Sequence, residues 1–170
     1  MKRIKAAIIG AGSAAMLIHA PYLSINPEVD LAAIADPVEK SAKSVAERFH
    51  IKKTYRYFQE MLRKEKPDVV HVATPQSLHS KHSIAAMEAG ADVLCEKPMA
   101  CSLEECDAMI GAAKRTGLKL MIGFMKRWNI GLEKVKEILD SEELGKPFFA
   151  YIHHTLKASR IYERWQKLKV

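Results

Sequence analysis

Short runs of aliphatic residues recur along the chain up to residue 122, and longer segments with helical periodicity separate them. The runs are rich in Ile, Val and Ala, and most of them have no alternating polar face. Such runs are typical of parallel strands that helices cover on both sides. We predict five strands, at residues 4–9, 29–35, 68–73, 92–95 and 119–122.

The segments between these strands favour helices, and several of them have recognisable ends. Ser102 precedes an apolar run with Glu105 three residues later, which is a capping box. Gly90 and Gly117 follow helical runs, as C-terminal caps do. Repeated strand–helix units of this length predict an α/β fold with a doubly wound parallel sheet. The predicted helices lie at residues 14–25, 38–49, 57–64, 79–89 and 103–116.

The pattern changes after residue 123, so we divide the chain into a complete domain, 1–123, and the start of a second, α+β domain, 124–170. The second part begins with an amphipathic helix at 128–140, continues with an aromatic-rich strand at 148–155, and ends in a basic, helical tail. A single strand needs a sheet to join. Either a second chain supplies that sheet, which predicts a homo-oligomer through residues 147–170, or this chain is a truncated form of a longer protein.

Composition and net charge limit the kinds of function and partner that we expect for this protein. Lys and Arg number 27 against 20 Asp and Glu, a formal net charge of +7 that would attract anions such as nucleotides. No nucleic-acid motif accompanies the charge, so we expect a small-molecule substrate and no nucleic-acid partner. No apolar run approaches the ~20 residues of a membrane helix, so we expect no membrane contact. Three cysteines cannot all pair, which favours a cytoplasmic protein with reduced thiols, and no metal-ligand spacing is present.

The first strand ends in Gly10-Ala11-Gly12-Ser13-Ala14-Ala15, a pattern typical of dinucleotide-binding loops. Gly10 would allow the tight turn, Gly12 would let the backbone approach a pyrophosphate, and Ala15 would let the helix pack closely on the strand. The helix N-terminus beyond Ser13 would face the negative phosphates. The alternative is a tight strand–helix turn that binds no ligand.

Asp36 closes the second strand, where a carboxylate can accept hydrogen bonds from both adenosine ribose hydroxyls and repel a 2′-phosphate. We therefore expect NAD as the cofactor, with NADP as the alternative because Lys40 lies close enough in sequence to weaken the repulsion. Asp36 could also cap the helix that follows, and the two roles are compatible.

Two further strand ends carry polar residues. Thr74-Pro75 ends the strand at 68–73 and is predicted to line the ligand crevice, while His79 would either reach that crevice or lie on the surface. The strand at 92–95 ends in Glu96-Lys97-Pro98. A lysine there could hydrogen-bond a substrate hydroxyl or carbonyl and move its proton, although a surface ion pair is the alternative.

These motifs together resemble the glucose–fructose oxidoreductase, inositol dehydrogenase and rhizopine-catabolism family (Gfo/Idh/MocA). The resemblance rests on the glycine loop, Asp36-Pro37, Thr74-Pro75 with His79, Glu96-Lys97-Pro98, and the segment 123–128. It implies a Rossmann domain, an active-site lysine at Lys97, and a nicotinamide pocket shaped by Glu96 and Pro98 around a bond that is often cis. It also implies that Arg127 lies near the substrate, and that Thr74, Pro75 and His79 belong to the cofactor site.

The resemblance implies an NAD(P)-dependent oxidoreductase that transfers hydride to or from a sugar, polyol or related substrate. Family members normally have about twice this length, and their second domain largely determines substrate specificity. A nucleotide-binding module without turnover of its own is therefore the alternative function. A regulatory protein that has lost the cofactor is a third, which the intact glycine loop and Glu96-Lys97-Pro98 disfavour.

Overall fold

The computed structural model describes residues 3–153. Within these residues, 3–125 form one compact unit and 126–153 belong to a second. The tail helix expected after residue 156 lies outside the described residues.

The first unit contains six strands, β1 Ile4–Ile9, β2 Val29–Ala35, β3 Lys53–Tyr55, β4 Val69–Val72, β5 Asp92–Cys95 and β6 Leu120–Ile122. They form a parallel sheet in the order β3-β2-β1-β4-β5-β6. This order reverses beside β1, as it does in doubly wound dinucleotide-binding folds, and it confirms the predicted fold class. The sequence pattern missed β3.

Helices cover the two faces of the sheet and create two apolar cores. Because side chains alternate along a strand, Ala7 and Ile9 of β1 face one core while Ala6 and Ile8 face the other. The helices are α1 Ala20–Ile25, α2 Glu39–Phe49, α3 Phe58–Glu65, α4 His79–Glu88 and α5 Leu103–Thr116. Helices α3, α4 and α5 contribute to the first core, and α1 and α2 to the second.

The expected end signals of α5 are present. The Ser102 hydroxyl accepts the Glu105 N–H at 3.2 Å, and the Glu105 carboxylate accepts the Cys101 N–H at 2.9 Å. Gly117 ends the helix with φ +71°, a conformation that glycine adopts without steric cost. A single π-helical turn, Ala15–His19, precedes α1, where the sequence predicted a continuous α-helix.

A 3₁₀ turn, Met125–Trp128, spans the boundary of the two units, and helix α6, Ile130–Asp140, follows in the second unit. Asn129 caps α6 by accepting the Leu132 N–H at 3.2 Å. Residues 148–153 pair with no strand of the described chain, so the strand expected at 148–155, which needs a sheet supplied from elsewhere, stays a prediction. A strand exists only through hydrogen bonds to a neighbour, and the described chain offers none to this segment. Over residues 3–153, no helix is long and apolar enough to cross a membrane.

A buried carboxylate cross-links the amino end of β1 to β3 and α3. Glu65 is 4% exposed, and its carboxylate lies 3.1 Å from the Lys5 Nζ and 2.9 Å from the Lys53 Nζ. The Tyr55 hydroxyl also donates to this carboxylate. Burial alone would raise the pKa of Glu65, but the hydrogen bonds from Tyr55, Lys53 and Lys5 outweigh it and lower the pKa to about 2.

We expect this network to make stability depend on pH in the acid range. An unfolded Glu titrates near its ordinary pKa of 4.5, so the network stabilises the fold fully above that pH and is lost as the pH falls toward about 2. Glu65→Gln should cost about 2–3 kcal/mol of unfolding free energy at pH 7 and much less at pH 3. Urea denaturation at both pH values measures this. Glu60→Gln, which removes an exposed ion pair with Lys64, is the control, and an equal loss in both variants would contradict the prediction.

Candidate functional site

The loops that follow β1, β2, β3 and β4 surround a cavity of about 540 Å³ at the carboxyl edge of the sheet. Ligands of doubly wound sheets bind at this edge, at the point where the strand order reverses. Residues from all four loops line the cavity. They are Ile9, Gly10, Ala11, Gly12, Ala35, Asp36, Pro37, Val38, Ser41, Arg56, Tyr57, Phe58, Gln59, Ala73, Thr74, Pro75, Leu78 and His82.

Glycine occupies positions 10 and 12 of the first loop for different structural reasons. Gly10 has φ +98°, and a Cβ added there would lie 2.6 Å from the Ala73 carbonyl oxygen, so only glycine fits between β1 and β4. A Cβ added at Gly12 would meet nothing within 4 Å, so its backbone faces open space in the cavity. The protein alone therefore does not require glycine at position 12, whereas a ligand that approaches the backbone would. Ala15, at the start of the π turn, is fully buried.

Asp36 connects two of the loops. One carboxylate oxygen accepts the Ala11 N–H at 2.7 Å, and the other accepts the Val38 N–H at 2.8 Å. The second bond closes an i to i+2 turn that precedes α2. Helix α2 has Val38 as its N-cap and no side-chain cap bond, so the alternative role of Asp36 as a helix cap is wrong. The first bond holds the carboxylate beside the glycine loop, on the wall of the cavity, where a ribose would approach it.

The segment after β4 contributes Thr74 and Pro75 to the cavity wall, together with His82 from α4. The Thr74 hydroxyl lies 3.1 Å from the Nδ1 of His82. Burial, followed by the nearby charges of Lys81 and His79, lowers the pKa of His82 to about 4, so this imidazole is neutral at pH 7. His82 is a cavity residue that the sequence analysis did not predict.

His79 is 1% exposed and is not among the residues that line the cavity. Its Nε2 lies 2.9 Å from the Thr74 carbonyl oxygen, and its Nδ1 lies 2.8 Å from the Pro98 carbonyl oxygen. The imidazole therefore joins the segment after β4 to the segment after β5.

Glu96, Lys97 and Pro98 follow β5 at the same edge of the sheet, outside the residues that line the cavity. The Glu96 N–H donates to the Val72 carbonyl at 3.0 Å and extends the β4–β5 pairing by one residue. Lys97 is exposed, and the Lys97–Pro98 peptide bond is cis. The nicotinamide half of a dinucleotide would have to extend from the cavity toward Lys97 for this side chain to act on a substrate.

Arg127 belongs to the second unit, lies in the 3₁₀ turn Met125–Trp128 and is exposed. Its expected role near the substrate stays a prediction. Within residues 3–153, no three His, Cys, Asp or Glu side chains lie close enough together to hold a metal ion.

A family model for an oxidoreductase family with an NAD-binding Rossmann fold, Gfo/Idh/MocA, matches residues 4–124. The chain belongs to this family. The match covers the whole parallel sheet and every strand end described above, and it identifies the cofactor of the fold as NAD.

Over the aligned part, curated relatives are about one-third identical to the chain. D-Glucoside 3-dehydrogenase of Escherichia coli K12 is 34% identical over 84% of this chain, and scyllo-inositol 2-dehydrogenase (NAD(+)) of Bacillus subtilis 168 is 31% identical over 86%. The crystal structure of myo-inositol 2-dehydrogenase from Lactobacillus plantarum superposes with a TM-score of 0.78 at 29% identity over 85% of this chain. The chain spans only 41–43% of the length of these three proteins.

Proposed function

We propose that this chain provides the NAD-binding part of an oxidoreductase that transfers hydride between a sugar, polyol or related substrate and the cofactor. The observation that carries the proposal is the placement of Gly12, Asp36 and Lys97 at one edge of the sheet. Gly12 leaves space for a pyrophosphate, and Asp36 presents a carboxylate to a ribose. Polyol and glucoside dehydrogenases among the relatives suggest the substrate class.

In this proposal NAD supplies the hydride acceptor or donor, and the chain supplies the binding surface and a group that handles the proton. Residues 10–15 would hold the pyrophosphate at the start of the helical segment, and Asp36 would accept hydrogen bonds from the adenosine ribose. Lys97 would hydrogen-bond the substrate hydroxyl and take its proton as the carbon is oxidised. Arg127 would contribute to substrate binding.

A nucleotide-binding module without turnover of its own is the second candidate, favoured by the 41% of the glucoside dehydrogenase that the chain spans. One experiment separates the two functions. Calorimetric titration with NAD⁺ tests binding by this chain, and NADH formation with a panel of sugars and polyols tests turnover. Binding with turnover supports the first function, binding alone supports the second, and no binding contradicts both.

We expect Asp36→Ala to weaken NAD binding by about 10- to 100-fold, because a hydrogen bond to a charged group contributes ~1.5–3 kcal/mol. NADP should bind the variant no worse than the parent, because the carboxylate that repels a 2′-phosphate is gone. Titration of both cofactors with both proteins measures this. The substitution also frees the Ala11 and Val38 N–H groups, but a loosened loop would weaken both cofactors alike. Equal losses of affinity for NAD and NADP would therefore show that Asp36 does not recognise the ribose.

We also propose that residues 147–170 mediate self-association of this chain. Phe148, Phe149, Tyr151 and Ile152 are between 76% and 100% exposed, an apolar segment that would favour contact with other chains. We expect light scattering to show oligomers of the 170-residue chain and a smaller mass for a variant that ends at residue 146. NAD titration of both proteins is the control and should give similar affinities. A monodisperse monomer of the full chain would contradict the proposal.

A further inference from the structure

The π turn before α1 buries a histidine while it exposes apolar neighbours. Ala15 and His19 are buried at 0% and 7% exposure, whereas Leu17 and Ile18 are 69% and 38% exposed. The Ala20 N–H donates to the Ala15 carbonyl, an i→i−5 bond that takes one more residue per turn than an α-helix. Pro21 follows and has no N–H to continue an α-helical ladder there. Ala15 and His19 are four residues apart and therefore lie on one face of the helical segment, and Ala20 is buried beside them.

His19 lies between a second histidine and the residue before Lys97. Its Nδ1 is 3.0 Å from the Nδ1 of His71 on β4, with the two rings edge to face. Its Nε2 is 3.2 Å from a carboxylate oxygen of Glu96, and the two side chains are 6% and 13% exposed. This is an ion-pair distance, and the Nε2 makes no hydrogen bond of standard geometry within the described residues, so the contact with Glu96 is electrostatic. The other carboxylate oxygen of Glu96 accepts the Lys97 N–H at 3.2 Å. A continuous set of contacts thus runs from His71 through His19 and Glu96 to the backbone of Lys97.

The protons in this set have one consistent arrangement. Only one proton fits between two Nδ1 atoms 3.0 Å apart, so one ring donates and the other accepts. Burial, and secondarily the charge of His19, lowers the pKa of His71 to about 4. Burial also lowers the pKa of His19, against the opposing effect of Glu96. Two neutral rings remain, and the Glu96 carboxylate favours an N–H on the Nε2 of His19. His71 then donates its Nδ1–H to the bare Nδ1 of His19.

We propose that His19 is a positioning residue for Lys97 and acts through Glu96. His19 fixes the Glu96 carboxylate, and the carboxylate in turn holds the backbone of Lys97 at the edge of the crevice. His79 holds the other side of the same segment through the Pro98 carbonyl. The role of Lys97 rests on the proposed function, whereas the positioning itself is a property of the protein without cofactor.

The test is NMR of the ¹⁵N-labelled full chain at pH 7.5, without cofactor. The imidazole nitrogen shifts should show His19 with its proton on Nε2 and His71 with its proton on Nδ1. The tautomer expected for His71 is the opposite of the one that a free imidazole side chain prefers. His19→Leu should shift the Lys97 amide resonance and accelerate its hydrogen exchange by about tenfold, as expected for a lost hydrogen bond. His19→Gln, whose amide N–H can replace the Nε2–H, should restore the parent values.

The control is His50→Asn, at an exposed position with φ +55° that asparagine tolerates, and it should leave the Lys97 amide unchanged. A His19 protonated on Nδ1 in the parent, a measurement that needs no variant, would overturn the proposal. The proposal would also be overturned if the Lys97 amide resonance and exchange rate were the same in His19→Leu and the parent. Equal changes of both quantities in His19→Gln and His19→Leu would overturn it as well. If His19→Leu does not fold, Glu96→Gln replaces it, and an unshifted Lys97 amide in that variant counts against the proposal. Failure of the chain to bind NAD would contradict the proposed function. It would not change the NMR results, because they are measured without cofactor.

Discussion

Replacement of Gly10 by alanine is expected to lower the free energy of unfolding by about 2–5 kcal/mol. The φ of +98° is strained for any residue with a Cβ, and that Cβ would lie 2.6 Å from the Ala73 oxygen and 2.8 Å from its carbonyl carbon. Both contacts are with backbone atoms at the end of β4, which cannot rotate away as a side chain would. For a chain of this size the melting temperature should fall by roughly 5–20 °C.

Two other glycines provide matched controls for this prediction. Gly12→Ala places its methyl group in open space, so it should leave the melting temperature of the cofactor-free protein nearly unchanged. It should nevertheless weaken NAD binding by about tenfold or more, because the methyl group occupies the approach to the backbone. Gly111→Ala, inside α5 with open space around it, should raise stability slightly and leave NAD binding unchanged.

Thermal denaturation and NAD titration of the three variants separate a folding role from a binding role. Gly10→Ala should lose both stability and affinity, Gly12→Ala affinity alone, and Gly111→Ala neither. A Gly12→Ala variant that binds NAD as tightly as the parent would show that the pyrophosphate does not approach this loop. A Gly10→Ala variant with unchanged melting temperature would show that β1 and β4 can separate at little cost.

The sheet was largely predictable because five of its strands are short aliphatic runs. Most residues of β1 and β2 are buried on both faces, and this produces a continuous apolar sequence pattern. The missed strand, Lys53–Tyr55, is three residues long at the edge of the sheet, and its first two residues are exposed. Its polar sequence therefore carries no sign of burial. The segment 148–153 is the opposite case: its aromatic residues predict a strand, but pairing requires a neighbour, and the described chain offers none.

The site was predictable wherever position in the fold decides it. Asp36 and Thr74 follow strands, and strand ends at one edge of a parallel sheet meet around the crevice. The burial of His19 was not predicted, because a histidine does not mark a helix face as apolar, even though His19 shares that face with the buried Ala15 four residues earlier. The contact between Arg56 and the cavity depends on β3, which the sequence pattern did not reveal.

Lys97→Ala is expected to lower polyol-dependent NADH formation by ~10²–10⁴-fold, the usual contribution of a positioned acid or base. The dissociation constant for NAD⁺ should change far less, because Lys97 lies outside the residues that line the cavity. An assay of NADH formation measures the turnover, and calorimetric titration of the same preparations measures the dissociation constant for NAD⁺. Lys119→Ala, just before the amino end of β6 and so at the opposite edge of the sheet, is the control for removing an exposed lysine and should alter neither.

Lys97→Arg distinguishes a proton-transfer role from a purely electrostatic one. Arginine retains the positive charge and the hydrogen-bond donors, but its guanidinium does not release a proton in the pH range of the assay. If Lys97 takes the substrate proton as the carbon is oxidised, Lys97→Arg should be nearly as slow as Lys97→Ala. Recovery of most of the turnover by arginine would show that the charge alone is needed, and full turnover in Lys97→Ala would make the lysine dispensable. A parent protein that binds NAD⁺ but turns over no substrate would instead assign this chain the role of a nucleotide-binding module.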